Sequence, residues 1–194
     1  MRARFALPVL LLLATAGAAE LAGVTMPDEI TAGGKTLHLN GLGVRNSKVL
    51  GVGVKVYVAG LYVEGTSHEA AAIVSASAVK EIRLSFLRAL DKATIGRAIG
   101  EAFERNSADS LPALAERLAR LKEILPDLEA KGEIRITCVP GEGTRAVVNG
   151  KEAGRIPGDD FARALLLVWL GENPVDQALK KDLLAGPPRS EEPF

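Results

Sequence analysis

Cysteine and histidine are close to absent from this chain, with one cysteine and two histidines in 194 residues. A single cysteine excludes an intramolecular disulfide, even in an oxidising compartment. Cys138 sits in the alternating run Ile134-Arg-Ile-Thr-Cys-Val139 with no histidine nearby, and is read as a small buried hydrophobe rather than a nucleophile. His38 and His68 stand alone, without a second ligand-type residue at metal spacing, so no metal site is expected. Net charge is missing as well. The chain has 24 basic residues against 24 acidic ones, which gives no electrostatic reason for a nucleic-acid or anionic-membrane partner. There is no GxSxG or other nucleophile motif. The pairs Gly41-X-Gly43 and Gly51-X-Gly53 reach no third glycine at the right spacing, open no helix, and are followed by no GK[ST]. They are read as sites of bulging or close backbone approach, and no cofactor is expected.

Long apolar runs are absent except at the start. Arg2 and Arg4 precede the short apolar stretch Ala6–Ala14, and Ala16-Gly-Ala18 and Gly17-Ala-Ala19 offer small residues for cleavage. This is the pattern of a secretory signal peptide over residues 1–19, without a lipobox cysteine. The competing reading is an uncleaved membrane anchor, for which the stretch is short. The expectation is a periplasmic or secreted protein with no stable membrane insertion once the leader is removed. One domain follows, over residues 20–186, with neither internal repeat nor linker, and a proline-bearing tail over 187–194 reads as disordered.

What is present is a run of strand and helix patterns. Residues 20–34 read as a lead-in. Thr36–Asn46 and 52–63 read as strands, the second apolar on both faces and therefore buried. Ser67 is placed to cap a short helix from His68 to about Ser77, and Lys80–Phe86 alternates as a strand. Asp91 and Thr94 open a helix on which Ile95, Ile99, Ala102 and Phe103 form one stripe. Ser110 opens the next, whose leucines recur at three and four residues over only two heptads, a helix packed on its own core. Gly132–Val139 is a strand, and Thr144–Val148 and Lys151–Ile156 form a hairpin about Asn149-Gly150. Asp159 or Asp160 is placed to cap the apolar helix Phe161–Leu170, and Asn173-Pro174 opens a last helix through Leu184. Strands in hairpins and helices in runs make an α+β fold, an antiparallel sheet with helices layered on it.

One arginine enters the apolar stretch 41–64. No Asp or Glu lies between Gly41 and Tyr62 to pair with Arg45, and a buried guanidinium is costly alone. If the turn centres on Gly51, Arg45 faces Tyr57 across a hairpin. A guanidinium fork and a phenol then form a donor set for one carboxylate. The alternative is that Arg45 caps backbone carbonyls or pairs with a distant Asp or Glu, and the residues alone leave both open.

Gly-Val-Arg45 followed by Val-Tyr57-Val-Ala-Gly-Leu-Tyr62 resembles the chalcone isomerase-like family. So do Phe86-Leu-Arg88, Asn106 after a helix, Gly141-Glu-Gly143-Thr144, Gly158-Asp-Asp-Phe161 and Trp169-Leu-Gly171, in order along the chain. The resemblance implies a large antiparallel β-sheet packed against a layer of helices, an open-faced sandwich with a ligand cleft between the layers. In true chalcone isomerases an arginine on this strand polarises the substrate, and Arg45 matches it. The threonine expected on the next strand is Tyr57 here. The tyrosine and asparagine expected on the following helix fall near Ile95 and Ala102, and a late threonine near Val175 or Asp176. The enzyme's site is therefore largely missing. Non-catalytic, fatty-acid-binding members resemble this chain at the Arg/Tyr pair, where both residues contact the carboxylate. The resemblance thus implies a non-catalytic, monomeric binding protein for a small hydrophobic carboxylate such as a fatty acid. Arg45 and Tyr57 would hold the head group, Ile95 and Ile99 the chain, with Phe161, Leu165 and Trp169 as further lining or core. The alternatives are an isomerase or intramolecular lyase with Arg45 as electrophile and Tyr57 as acid, and a structural protein whose cleft is filled by its own side chains.

Overall fold

A computed structural model describes residues 17–49 and 51–187. Most of the leader pattern and nearly all of the tail lie outside the described residues. The lead-in is not irregular. It forms a hairpin, β1 (Ala18–Leu21) with β2 (Val24–Pro27), and then β3 (Glu29–Ala32). Each of these strands has only four residues, too few for alternation to register as a pattern. β1 begins two residues ahead of the domain boundary drawn at Glu20.

The remaining strands are β4 (Lys35–Val49), β5 (Val52–Val63), β6 (Lys80–Phe86), β7 (Glu133–Val139), β8 (Gly143–Val148) and β9 (Lys151–Ile156). With β3 they form one seven-stranded antiparallel sheet whose spatial order follows the chain. The helices are α1 (Ala70–Ser75), α2 (Lys92–Asn106), α3 (Leu111–Ile124), α4 (Asp159–Leu170) and α5 (Gln177–Leu184). Among the described residues no helix is long and apolar enough to cross a membrane.

The sheet has two apolar faces. On the inner face Leu61, Ile82, Phe86 and Ile136 pack with Phe103, Leu121, Phe161 and Leu165 from the helices. On the outer face Met26 and Ala19 of the small hairpin pack with Leu37, Leu39, Val58 and Tyr62. The β4–β5 register slips at Asn40, which is left between Leu39↔Tyr62 and Gly41↔Leu61. That bulge lets Leu37, Leu39 and Leu42 all reach the outer core despite strict alternation elsewhere. Asn40 itself is buried, donates to the carbonyls of Ser67 and Leu183, and accepts from Ser67 N–H. Beside it, α5 crosses β4 so closely that a Cβ on Gly41 would collide with the Leu183 carbonyl oxygen. Close approach, not phosphate binding, explains this glycine.

Several local expectations hold. Asn149 and Gly150 take φ of 47° and 78°, the left-handed pair of a tight hairpin, and Asp91 caps α2 by accepting from Thr94 N–H at 2.7 Å. Others are corrected. α1 starts at Ala70 with Glu69 as N-cap, and Ser67 accepts from Glu69 N–H instead of capping the helix. A 3₁₀ turn over Ala108–Ser110 holds Ser110 in helical backbone, where its hydroxyl makes no cap. Gly158 takes the N-cap of α4, so Asp159 accepts from Gly141 N–H and Asp160 pairs with Arg117. α5 opens at Gln177 under Asp176, which accepts from Ala178 and Leu179 N–H, rather than at Pro174. The strand 52–63 is buried only from Val56 onward, and Val52 is 65% exposed.

Candidate functional site

Arg45 and Tyr57 are direct cross-strand partners on β4 and β5. The register slips a second time immediately after them, passing from Arg45↔Tyr57 to Asn46↔Lys55 and leaving Val56 unpaired. Two successive β5 residues, Val56 and Tyr57, therefore turn into the same cavity. The slip is held from the helical side, where Asp176 at the start of α5 accepts from Asn46 N–H at 2.9 Å.

The Arg45 guanidinium carbon lies 5.5 Å from the Tyr57 ring centroid, within cation–π range. Arg45 Nε is buried and has no hydrogen-bond partner. Among the described residues no carboxylate pairs with it: Asp176, the nearby acid, is spent on the α5 cap and on Asn46. Leaving a buried donor unsatisfied costs about 1–3 kcal/mol, so the protein maintains this group at some expense.

Tyr57 is 4% exposed and its ring packs tilted against Phe86 at 5.4 Å. Its hydroxyl accepts from Trp169 Nε1 on α4 at 3.0 Å. Indole is a donor only, so this bond occupies an oxygen lone pair and leaves the phenolic proton unspent. Burial pushes the phenol pKa up, and the opposing pull of the Arg45 charge and the Trp169 bond only partly offsets it. The phenol stays protonated at physiological pH and remains a donor.

Around this pair is a cavity of about 220 Å³. Ile95 and Ile99 of α2 line it, with Phe86, Ile134, Ile136 and Val168 deeper in the layer between sheet and helices. The polar lining consists of Arg45, Ser47, Tyr57, Arg88, Thr94 and Trp169, with no Asp or Glu. The Arg45 guanidinium and the Tyr57 hydroxyl in an apolar shell suit an anionic head on a hydrocarbon body.

The structure thus brings Arg45, Tyr57, Ile95 and Ile99 together, and adds Trp169 as lining. It leaves Phe161 and Leu165 elsewhere. Both are fully buried in the inner core, Phe161 against Phe103 at 5.6 Å. Ala102 is buried outside the cavity, whereas Val175 lines it. Two contributors had weak signals in the sequence. Phe86 closes a strand that reads only as half-wet, with Arg88 in the bend beyond it, and the Trp169–Tyr57 bond joins residues 112 apart. Nothing local announces such a bond.

Other chemistry-bearing residues are accounted for structurally. Burial of Cys138 raises its thiol to about 11, and its nearest polar contact is Thr144 Oγ1 at 3.9 Å. His38 lies beside Glu29, its cross-strand partner, and His68 contacts the Leu184 carbonyl. Among the described residues no group of three or more His, Cys, Asp or Glu could hold a metal.

The model of the family described as chalcone isomerase-like matches residues 18–185. Among solved structures, a fatty-acid binding protein from Arabidopsis thaliana is similar to this chain with a TM-score of 0.70 and 18% sequence identity. That similarity covers 87% of this chain and 96% of that one. At this identity the likeness speaks for the fold, an α+β sheet curled against helices. No curated protein matches the chain.

Proposed function

The chain belongs to the chalcone isomerase-like family, and on that premise we propose that it is a non-catalytic binding protein for a small amphipathic carboxylate such as a fatty acid. The observation that carries this is the buried, unpartnered Arg45 Nε beside an apolar cavity. A carboxylate placed there accepts from the guanidinium and from the unspent proton of Tyr57, and its chain runs along Ile95 and Ile99. The plant structural neighbour is a fatty-acid binding protein, which supports the same ligand class.

Binding is favoured over an isomerase reading by what the lining lacks. Tyr57 is its only side chain of acid–base character besides the permanently charged arginines. The resemblance sets the helix tyrosine of the family's enzymes near Ile95, which offers no polar group.

Isothermal titration with laurate tests the proposal. Native protein binds, and Arg45→Ala abolishes binding while circular dichroism and Tm are retained. Absence of heat or thermal shift with any acyl chain would overturn the reading, as would turnover dependent on Arg45 and Tyr57.

We also propose export, resting on the leader pattern in residues 1–19. Cell fractionation followed by N-terminal sequencing checks it, and retention of Met1 on a cytoplasmic protein would refute it. Because Ala18 pairs with Pro27 and Ala19 is buried in the outer core, the cleavage site decides whether β1 survives intact.

A further inference from the structure

Arg88 is a second cation on the same cavity, and nothing in the binding role described so far uses it. It lies two residues beyond Phe86, which pairs with Tyr57, which in turn pairs with Arg45. Two strand spacings set Phe86 about 10 Å from Arg45, and Arg88 follows two residues later in the bend after β6. Two long side chains on one cavity can reach a shared head group across that gap. Arg88 is exposed, at the cavity mouth, with Ser47 and Thr94 half-buried beside it. Among the described residues it has no ion pair and no hydrogen bond, and no acidic residue lines the cavity.

A single carboxylate neutralises the Arg45 guanidinium and leaves Arg88 at the mouth without a counter-charge. A head with two negative charges answers both. Resting on the binding role proposed above, we infer that the preferred ligand is an amphiphile with a dianionic head group, bridging Arg45 inside the cavity and Arg88 at its mouth. The acyl or alkyl body occupies the apolar lining as before. Arg88 is then a specificity-determining residue: it adds little for a monoanion and selects for the second charge.

Titration of three probes with the same undecyl chain tests this: laurate, undecyl phosphate and 2-undecylsuccinate. The measurements are made at mildly alkaline pH, where an alkyl phosphate carries nearly its full second charge. In native protein both dianions bind about ten-fold more tightly than laurate, the increment of one added charge-assisted contact. In Arg88→Gln, an exposed position whose replacement leaves Tm unchanged, the preference disappears while laurate affinity stays the same. A preference for the phosphate alone also supports the inference and narrows the head group to phosphate. Equal affinities for all three probes in native protein would overturn it, and so would a preference that survives in Arg88→Gln. Failure of all three to bind removes the binding role itself, so the two failures are distinguishable.

Discussion

Trp169 Nε1 donates to the Tyr57 hydroxyl at 3.0 Å, tying α4 to β5 across the cavity. The bond fixes which way the phenol turns its remaining proton. Trp169→Phe removes the donor and frees the hydroxyl to rotate. It should cost about 1–2 kcal/mol of stability and lower laurate affinity about ten-fold. Combined with Tyr57→Phe, it should lower affinity no further than Tyr57→Phe alone. Denaturant unfolding and titration on the three variants check this coupling.

Burial raises the phenol pKa of Tyr57 above its ordinary 10.0 and pushes that of Tyr62 to about 12. In the unfolded chain both ionise near 10. Between that value and the folded values the unfolded state binds fewer protons, so stability falls as pH rises through this window. The slope should approach about 1.4 kcal/mol per pH unit for each tyrosine. Lys80, whose pKa is lowered by burial, contributes with the opposite sign below 10.5. Chemical denaturation of ligand-free protein across alkaline pH should show the decline, and Tyr57→Phe should remove part of it. Phenolate absorbance should stay low in folded protein at pH values that ionise it in the unfolded chain.

Gly41 lies against the backbone of α5, and a Cβ there meets carbonyl oxygens that no rotamer change can move. Gly41→Ala should destabilise by about 3 kcal/mol, in the range of overpacked interiors. Gly53→Ala, which adds its Cβ to open space, should change stability by less than about 0.5 kcal/mol. Unfolding curves on the pair separate close approach from a general intolerance of alanine in this hairpin.

Arg117 on α3 grips both carboxylate oxygens of Asp160 at 2.7 Å and also donates to the Pro157 carbonyl. The guanidinium bonds lower the Asp160 pKa from 3.8 to about 2. The pair's stabilisation is present above 3.8 and lost as pH falls towards 2. Asp160 is 61% exposed at its side chain, so solvent screening limits the effect to about 1 kcal/mol. Asp160→Asn should cost that amount at neutral pH and nothing at the acid end of the window.

The sequence carried the layered α+β architecture because its longer strands and amphipathic helices each repeat their pattern several times. The Asn149-Gly150 hairpin and the Asp91 cap were legible since each depends on neighbours in the chain. Arg45 and Tyr57 met because the short turn about Gly51 joins their strands and the slip beyond Asn46 shifts the pairing by one residue; the turn alone would set Arg45 opposite Val56, and the sequence does not announce that slip. β1 to β3 were not legible: four residues, half facing solvent, look like any lead-in. Ser110 and Asp159 have capping side chains, but a preceding 3₁₀ turn and Gly158 at φ 99° decide where the caps fall. Phe161 and Leu165 lie on the helix that carries Trp169, yet only Trp169 and Val168 reach the cavity. That distinction depends on how α4 is rotated against the sheet, which periodicity does not state.

The sheet is a meander in which every strand pairs with its neighbour in the chain. Most of those pairings close over short turns, but β6 reaches β7 only after the long excursion through α2 and α3. Closing a longer loop carries a larger entropy penalty, and late-forming contacts change unfolding rates more than folding rates. Trp169, which meets Tyr57 across 112 residues, should therefore be the part of the cavity wall assembled last. A bound ligand should slow unfolding and leave the folding rate almost unchanged, which stopped-flow measurements with and without laurate can read. In this topology a bound acyl chain would act as a kinetic latch on a wall that the protein itself closes late.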